Sequence, residues 1–78
     1  MLDAKVDSLL AQISSVRSQL RSGGEFDAAL VQKARELRVR ARDMEITALR
    51  GSSLEPIVRR ARLILLEAEH SYMSLNIV

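Results

Sequence analysis

Hydrophobic residues recur along this chain at alternating intervals of three and four, in three blocks separated by glycine and serine. The breaks fall at 22–24, with the sequence Ser-Gly-Gly, and at 51–53, with the sequence Gly-Ser-Ser. Intervals of three and four place residues on one face of an α-helix, and long runs of them are typical of helices that pack side by side. The pattern predicts helices at about 3–21, 25–49 and 53–74.

Each block carries one continuous apolar seam. Large and small side chains alternate in the second seam, which lets that helix approach its neighbours closely. The seam residues are Leu2, Val6, Leu9, Ile13, Val16 and Leu20 in the first block, Leu30, Ala34, Leu37, Ala41, Met44 and Ala48 in the second, and Leu54, Val58, Ala61, Leu65, Ala68, Tyr72 and Leu75 in the third.

The residues at the breaks predict how the helices are connected. Gly51 is placed to end the second helix in a left-handed conformation, and Ser52 and Glu55 have the spacing of a capping box for the third. Both breaks are short, so consecutive helices are expected to run antiparallel. We therefore predict one all-α domain over residues 1–78: an antiparallel helical hairpin plus a third helix, in an up-down-up arrangement with coiled-coil-like seams.

Composition narrows the classes of function. The 78 residues include no cysteine, one histidine and two aromatic residues, so neither a disulfide nor a thiolate or zinc site is expected. No pocket with convergent polar groups is suggested, and we expect no catalytic residue, no metal, no cofactor and no enzymatic activity. Because no stretch approaches 18 apolar residues and the first residues resemble no signal peptide, we expect a cytoplasmic protein without a membrane span.

The third predicted helix carries a second apolar stripe at intervals of 3, 4, 3 and 4. It lies roughly 140° around the helix from the seam. A helix that is apolar on both sides is normally buried on both sides, and a 78-residue bundle cannot surround it. We interpret the stripe as a surface for a helical partner or a second copy, or alternatively as a sign that this helix lies deep between the others. Its members are Leu63, Leu66, His70, Met73 and Ile77.

The second predicted helix carries an arginine face. Nine of the chain's twelve basic residues lie in 33–62, and Arg35, Arg38 and Arg42 lie within about 60° of one another. They lie roughly opposite the seam, near the aliphatic Val31, Val39, Ile46 and Leu49. Arginine interleaved with aliphatic side chains is typical of protein interfaces, although a salt-bridged, solvated face would have the same composition.

Three functions remain open. The first is a non-enzymatic adaptor or co-chaperone that binds a helical partner, and the second is a self-assembling structural subunit, dimer or filament. The third, a small basic regulator that binds nucleic acid, is disfavoured because stacking aromatics are lacking and acidic residues dilute the positive charge. It would use Arg35, Arg38, Arg42, Arg59, Arg60 and Arg62.

The hairpin resembles a known family over 9–51. A long amphipathic helix is followed by a turn with the sequence Leu-Arg-Ser-Gly-Gly at 20–24 and then by Gln-Lys-Ala-Arg-Glu-Leu at 32–37. This arrangement is similar to the small co-chaperones of type III secretion needle subunits. The resemblance implies a cytoplasmic bacterial protein that binds a helical-repeat chaperone and keeps a needle subunit monomeric before export. The block from 52 to 78 departs from that pattern.

Overall fold

The computed structural model describes the backbone of residues 2–76 and the side-chain surroundings of residues 4–75. This part of the chain forms three α-helices, α1 (Leu2–Arg21), α2 (Ala28–Ile46) and α3 (Glu55–Asn76). All three helices pack against one another, and no strand occurs among the described residues. The prediction of an all-α, three-helix arrangement is therefore confirmed.

Helix α2 begins three residues later than the predicted start at 25. Asp27 is its N-cap: the backbone of Asp27 is extended, and its carboxylate accepts hydrogen bonds from the N–H groups of Ala29 and Leu30 at 2.9 and 3.4 Å. A capping carboxylate of this kind satisfies donors that would otherwise lack a partner at the start of a helix. The predicted start at 25 is wrong because the cap, rather than the apolar period, sets this boundary.

Helix α2 also ends earlier than the predicted residue 49. Its last helical residue is Ile46, and the N–H of Leu49 donates to the carbonyl oxygen of Met44 at 2.8 Å. This contact spans one residue more than an α-helical hydrogen bond. Leu49 is fully buried, whereas the predicted seam residue Ala48 is exposed. Because of this wider turn, Leu49 enters the core in place of the predicted Ala48.

The connection into α3 has different contacts from the capping box that the Ser-Ser-Leu-Glu sequence predicts. The Ser52 hydroxyl accepts from the Leu54 N–H at 3.2 Å, and the Glu55 carboxylate accepts from the Gly51 N–H at 2.8 Å. The two contacts tie the start of α3 to the chain before it, but each donor is one residue removed from that of a capping box, in which Ser52 and Glu55 bond to each other's N–H groups. Gly51 has a positive φ of 78°, a conformation that glycine adopts at little cost.

One hydrophobic core runs the length of the bundle. It is made of most of the described seam residues together with Leu49 and Val31, whereas the seam residues Ala48 and Leu75 are exposed, and the bundle measures 41 by 17 by 15 Å. In so narrow a rod every helix keeps an outer face in solvent. The buried apolar residues are Val6, Leu9, Ile13, Val16, Leu20, Val31, Ala34, Leu37, Ala41, Leu49, Val58, Leu65, Ala68 and Tyr72.

Tyr72 joins α3 to the connection between α1 and α2. Its hydroxyl donates to the carbonyl oxygen of Glu25 at 3.0 Å and accepts from the N–H of Asp27 at 2.6 Å. Its ring is buried and stacks on Phe26, with 5.7 Å between ring centroids. One side chain of the third helix therefore holds the hairpin turn and the start of α2 in place.

We expect Tyr72→Phe to lower the free energy of unfolding by about 1–3 kcal/mol, because it leaves a backbone donor and acceptor without their partner. The phenylalanine ring keeps the stacking on Phe26, so the loss isolates the hydroxyl contacts. Urea unfolding followed by circular dichroism measures it, with the exposed neighbour Ser71→Ala as the control. Equal stability of Tyr72→Phe and the control would contradict this role for the hydroxyl.

Candidate interaction face of helices α2 and α3

Two ion pairs of opposite polarity join α2 to α3. Arg38 on α2 pairs with Glu69 on α3, and its Nη2 donates to Glu69 Oε1 at 2.9 Å. Seven residues further along α2, Glu45 accepts from Nε of Arg62 at 2.6 Å, and Arg62 lies seven residues before Glu69. Equal steps in opposite chain directions show that α2 and α3 run antiparallel.

The alternation of charge in these pairs specifies the register of α2 against α3. A slip by one heptad in one direction would place Arg38 opposite Arg62 and Glu45 opposite Glu55. A slip in the other direction would place Glu45 opposite Glu69. Both shifts replace attraction by repulsion between like charges. Because these groups are partly desolvated, the repulsion costs far more free energy than the same repulsion between fully exposed charges. The ion pairs thus exclude the alternatives that a heptad seam alone permits.

Glu45 is the most engaged of these charges. It is 4% exposed, and besides the 2.6 Å contact it receives Nη2 of Arg62 at 3.2 Å and Nε of Arg59 at 3.4 Å. The hydrogen bonds from Arg62 lower the pKa of the Glu45 carboxyl below its ordinary value, against the opposing effect of burial. The same contact raises the pKa of Arg62. Glu45 is therefore held ionised between two guanidinium groups.

The lowered pKa of Glu45 predicts how stability depends on pH. A carboxyl whose pKa is lower in the folded than in the unfolded chain stabilises the fold above its ordinary pKa, and that contribution disappears as pH falls through the folded value. We expect Glu45→Gln to lose less stability than the unaltered protein between about pH 5 and pH 2. Urea unfolding over this range measures the difference. Parallel pH profiles for the two proteins would contradict the assignment.

On the solvent side of the ion pairs, α2 and α3 form a surface that mixes exposed aliphatic and cationic side chains. Val39 and Ile46 on α2 are 57% and 58% exposed, and Leu63 on α3 is 45% exposed. The antiparallel register brings these residues to one side of the bundle, since helical periodicity places them above the row that holds the ion pairs. We call this surface the α2–α3 face; it consists of Arg35, Val39, Arg42 and Ile46 of α2 and Arg59, Leu63, Leu66 and His70 of α3.

The predicted partner-binding residues are divided by this packing. Five of them share the α2–α3 face: Arg35, Arg42, Leu63, Leu66 and His70, of which Leu66 is half-buried and the others are exposed. Arg38 is instead engaged by Glu69, and Met73 is half-buried against the core. Ile77 lies outside the described residues.

The hypothesis of a single second stripe on α3 therefore needs a correction. Its members differ in exposure: Met73 is half-buried against the core and Leu66 is half-buried, whereas Leu63 and His70 are exposed. The arginine face of α2 also differs from the prediction, because Val31 and Leu49 are buried in the core instead of lying among the exposed arginines. On α2, the large aliphatic side chains that remain exposed are those of Val39 and Ile46.

At one end of the α2–α3 face is a shallow depression dominated by arginine. It is lined by four arginines, two glutamates and Ile46. Both glutamates, Glu45 and Glu55, are already paired with Arg59 or Arg62. Among the described residues, the guanidinium groups of Arg42 and Arg50 make no ion pair or hydrogen bond. The depression therefore has an excess of positive charge that the protein does not neutralise itself.

The two buried glutamates were not predicted from the sequence as part of any site. Glu45 and Glu69 are only 4% and 3% exposed, although burial of a glutamate is uncommon unless it is paired. The signal was present in the opposite order of charge on the two helices: Arg38 before Glu45, but Arg62 before Glu69. It becomes informative only when α2 and α3 are known to run antiparallel.

No family model, curated protein or solved structure matches this chain. The resemblance to secretion co-chaperones over 9–51 therefore stays a prediction. Within the described residues there is no helix long and apolar enough to cross a membrane, and no cluster of side chains there has the composition to hold a metal ion.

Proposed function

We propose that this protein is a non-enzymatic interaction module that binds a helical partner through the α2–α3 face. The observation that carries the proposal is the exposure of Val39, Ile46 and Leu63 on one side of the bundle, between arginines. Large aliphatic side chains gain about 25 cal/mol for each Å² of apolar surface that a partner removes from water. Arginine among them is typical of the composition of protein interfaces.

A small adaptor or co-chaperone of a secretion apparatus is the specific form of this proposal, as the resemblance of the hairpin implies. Co-chaperones of this kind offer a helical surface to another helical protein. The antiparallel pair α1 and α2 covers the stretch of resemblance, and Val39 and Ile46 lie on the exposed side of α2. In this form of the module the binding surface lies partly on the resembling hairpin and partly on α3.

Self-assembly is the second candidate. Its support is the same exposed aliphatic set, which could pack against a second copy. Excess positive charge on the α2–α3 face opposes it, because two copies that meet face to face would bring unneutralised arginines together. Nucleic acid is disfavoured on this face because Val39, Ile46 and Leu63 would gain nothing from a phosphate backbone.

Site-specific photocrosslinking in the producing cell tests the proposal. A photoreactive amino acid replaces Val39 or Leu63 on the face, or the control Ile57, which is 50% exposed outside it. We expect one adduct of defined mass from the two face positions and much less of it from position 57. An adduct of twice the chain mass of 8.7 kDa would identify self-assembly instead.

The control position guards against random collisions. Ile57 matches Val39 and Leu63 in hydrophobicity and exposure, so diffusive contacts label all three positions similarly. Equal yields at the three positions, or no adduct at any of them, would contradict binding through the α2–α3 face.

A further inference from the structure

We propose that the partner of the α2–α3 face is an acidic amphipathic helix, with carboxylates one heptad apart flanking an aliphatic stripe. The inference rests on the proposed function and adds the chemistry of the partner. It follows from which charges on this face are already neutralised and which are not, and from the spacing of those that remain.

The three carboxylates that border the contact between α2 and α3 are all engaged internally. Glu69 pairs with Arg38, Glu45 with Arg62 and Arg59, and Glu55 with Arg59 at 2.6 Å. Because each of these carboxylates has an arginine of the same chain, none of the three is available to a cationic partner. The exposed carboxylates Glu36 and Asp43 lie further around α2, beyond Val39 and Ile46.

The free cations are spaced to meet a helix. Arg35 and Arg42 are exposed, make no ion pair among the described residues, and lie one heptad apart on α2. One heptad is about 10 Å along a helix. Arg50 continues the positive charge at the end of α2, in the depression it shares with Arg42. A partner helix with carboxylates at the same interval would place one beside each guanidinium group.

The aliphatic residues have the same interval. Val39 and Ile46 are also one heptad apart, each four residues after an arginine of the pair Arg35 and Arg42. Leu63 supplies the opposite side of the surface from α3. Residues four apart are neighbours on a helix surface, so apolar and cationic positions alternate along α2. A partner helix with an aliphatic stripe flanked by carboxylates would match both the aliphatic residues and the arginines of this face.

A second copy of this chain does not have that chemistry on the same face, because the face is positive. Nucleic acid would satisfy Arg35 and Arg42 but would leave Val39 and Ile46 against phosphate and sugar, without aromatic side chains for stacking. A protein helix of acidic character is the occupant that uses the charges and the aliphatic residues together.

Binding of designed peptides to the full chain tests the assignment by fluorescence anisotropy. The probes are three helical peptides of about 20 residues with one leucine stripe, whose heptad-spaced flanking positions are all glutamate, all glutamine or all lysine. We expect the glutamate peptide to bind about two- to thirtyfold more tightly than the glutamine peptide, the range that two exposed ion pairs together provide. We expect the lysine peptide to bind more weakly still.

Two double variants with the same change of charge localise the binding. Arg35→Gln with Arg42→Gln removes the free cations of the face. Lys33→Gln with Arg40→Gln removes two exposed cations that make no ion pair among the described residues and lie one heptad apart off this face, with Arg40 in a depression shared with α1. We expect the first to abolish the preference for glutamate over glutamine, and the second to leave most of it. The preference should also weaken with added salt.

Several outcomes would overturn the acidic partner. They are equal or tighter binding of the glutamine or lysine peptide, no binding of any peptide, displacement of the glutamate peptide by a short DNA duplex at lower concentration, and a dimer of the chain alone that the first double variant dissociates. Photocrosslinks at Val39 and Leu63 combined with a preference for the glutamine peptide would support binding through the α2–α3 face and contradict only the acidic character of the partner. Absence of those crosslinks would contradict the proposed function itself.

Discussion

Leu65→Ala is expected to lower the free energy of unfolding by about 2–5 kcal/mol. Leu65 is fully buried at the centre of the α3 seam, and truncation removes its apolar contacts and leaves a cavity between three helices that are already close-packed. A chain of this size has about 4–12 kcal/mol of stability in total. The variant should therefore be partly unfolded near body temperature.

Thermal unfolding followed by circular dichroism measures the effect, expected as a fall of about 8–40 °C in Tm. Leu75→Ala is the matched control on the same helix, because it makes the same change at a residue that is 76% exposed. We expect the control to shift Tm by no more than a few degrees. A similar small shift for Leu65→Ala would contradict the packing of α3 against α1 and α2.

Glu45→Arg is expected to destabilise the fold by about 3–5 kcal/mol, the range for breaking a buried ion pair. The substitution places a third guanidinium group beside Arg59 and Arg62, at a position that is 4% exposed. Glu36→Arg makes the same change of charge on the same helix at an exposed residue that makes no ion pair among the described residues. That control should alter stability by less than about 0.5 kcal/mol.

Rescue separates the ion pair from a general effect of the larger side chain. Adding Arg62→Glu to Glu45→Arg reverses the polarity of the pair and should restore at least half of the lost free energy of unfolding. A double-mutant cycle with urea unfolding measures the coupling. A double variant no more stable than Glu45→Arg alone would show that the contact between Glu45 and Arg62 does not set the fit of α2 against α3.

The apolar period predicted the fold because it records what each helix buries. Intervals of three and four identified seam residues such as Leu9, Leu37 and Leu65, and the structure buries them. The same period could not locate the ends of α2, because these depend on single contacts. The Asp27 carboxylate and the wide turn before Leu49 replace regular helix at positions where the pattern continues.

The composition of the candidate face was harder to predict than the fold. Arg35, Arg38 and Arg42 have the same side chain and lie close together on α2, yet only Arg38 has a carboxylate opposite it. The difference depends on the position of Glu69, 31 residues further along the chain. Only the register between two helices decides which charges are neutralised internally and which are left for a partner.

The native mass of the unaltered protein, isolated from its own cell at its natural concentration, tests the central claim most directly. If the α2–α3 face binds a partner, the protein should migrate as a complex larger than its 8.7 kDa, with a second polypeptide in fixed proportion. A protein that occurs in the cell as a free monomer of that mass would contradict the account.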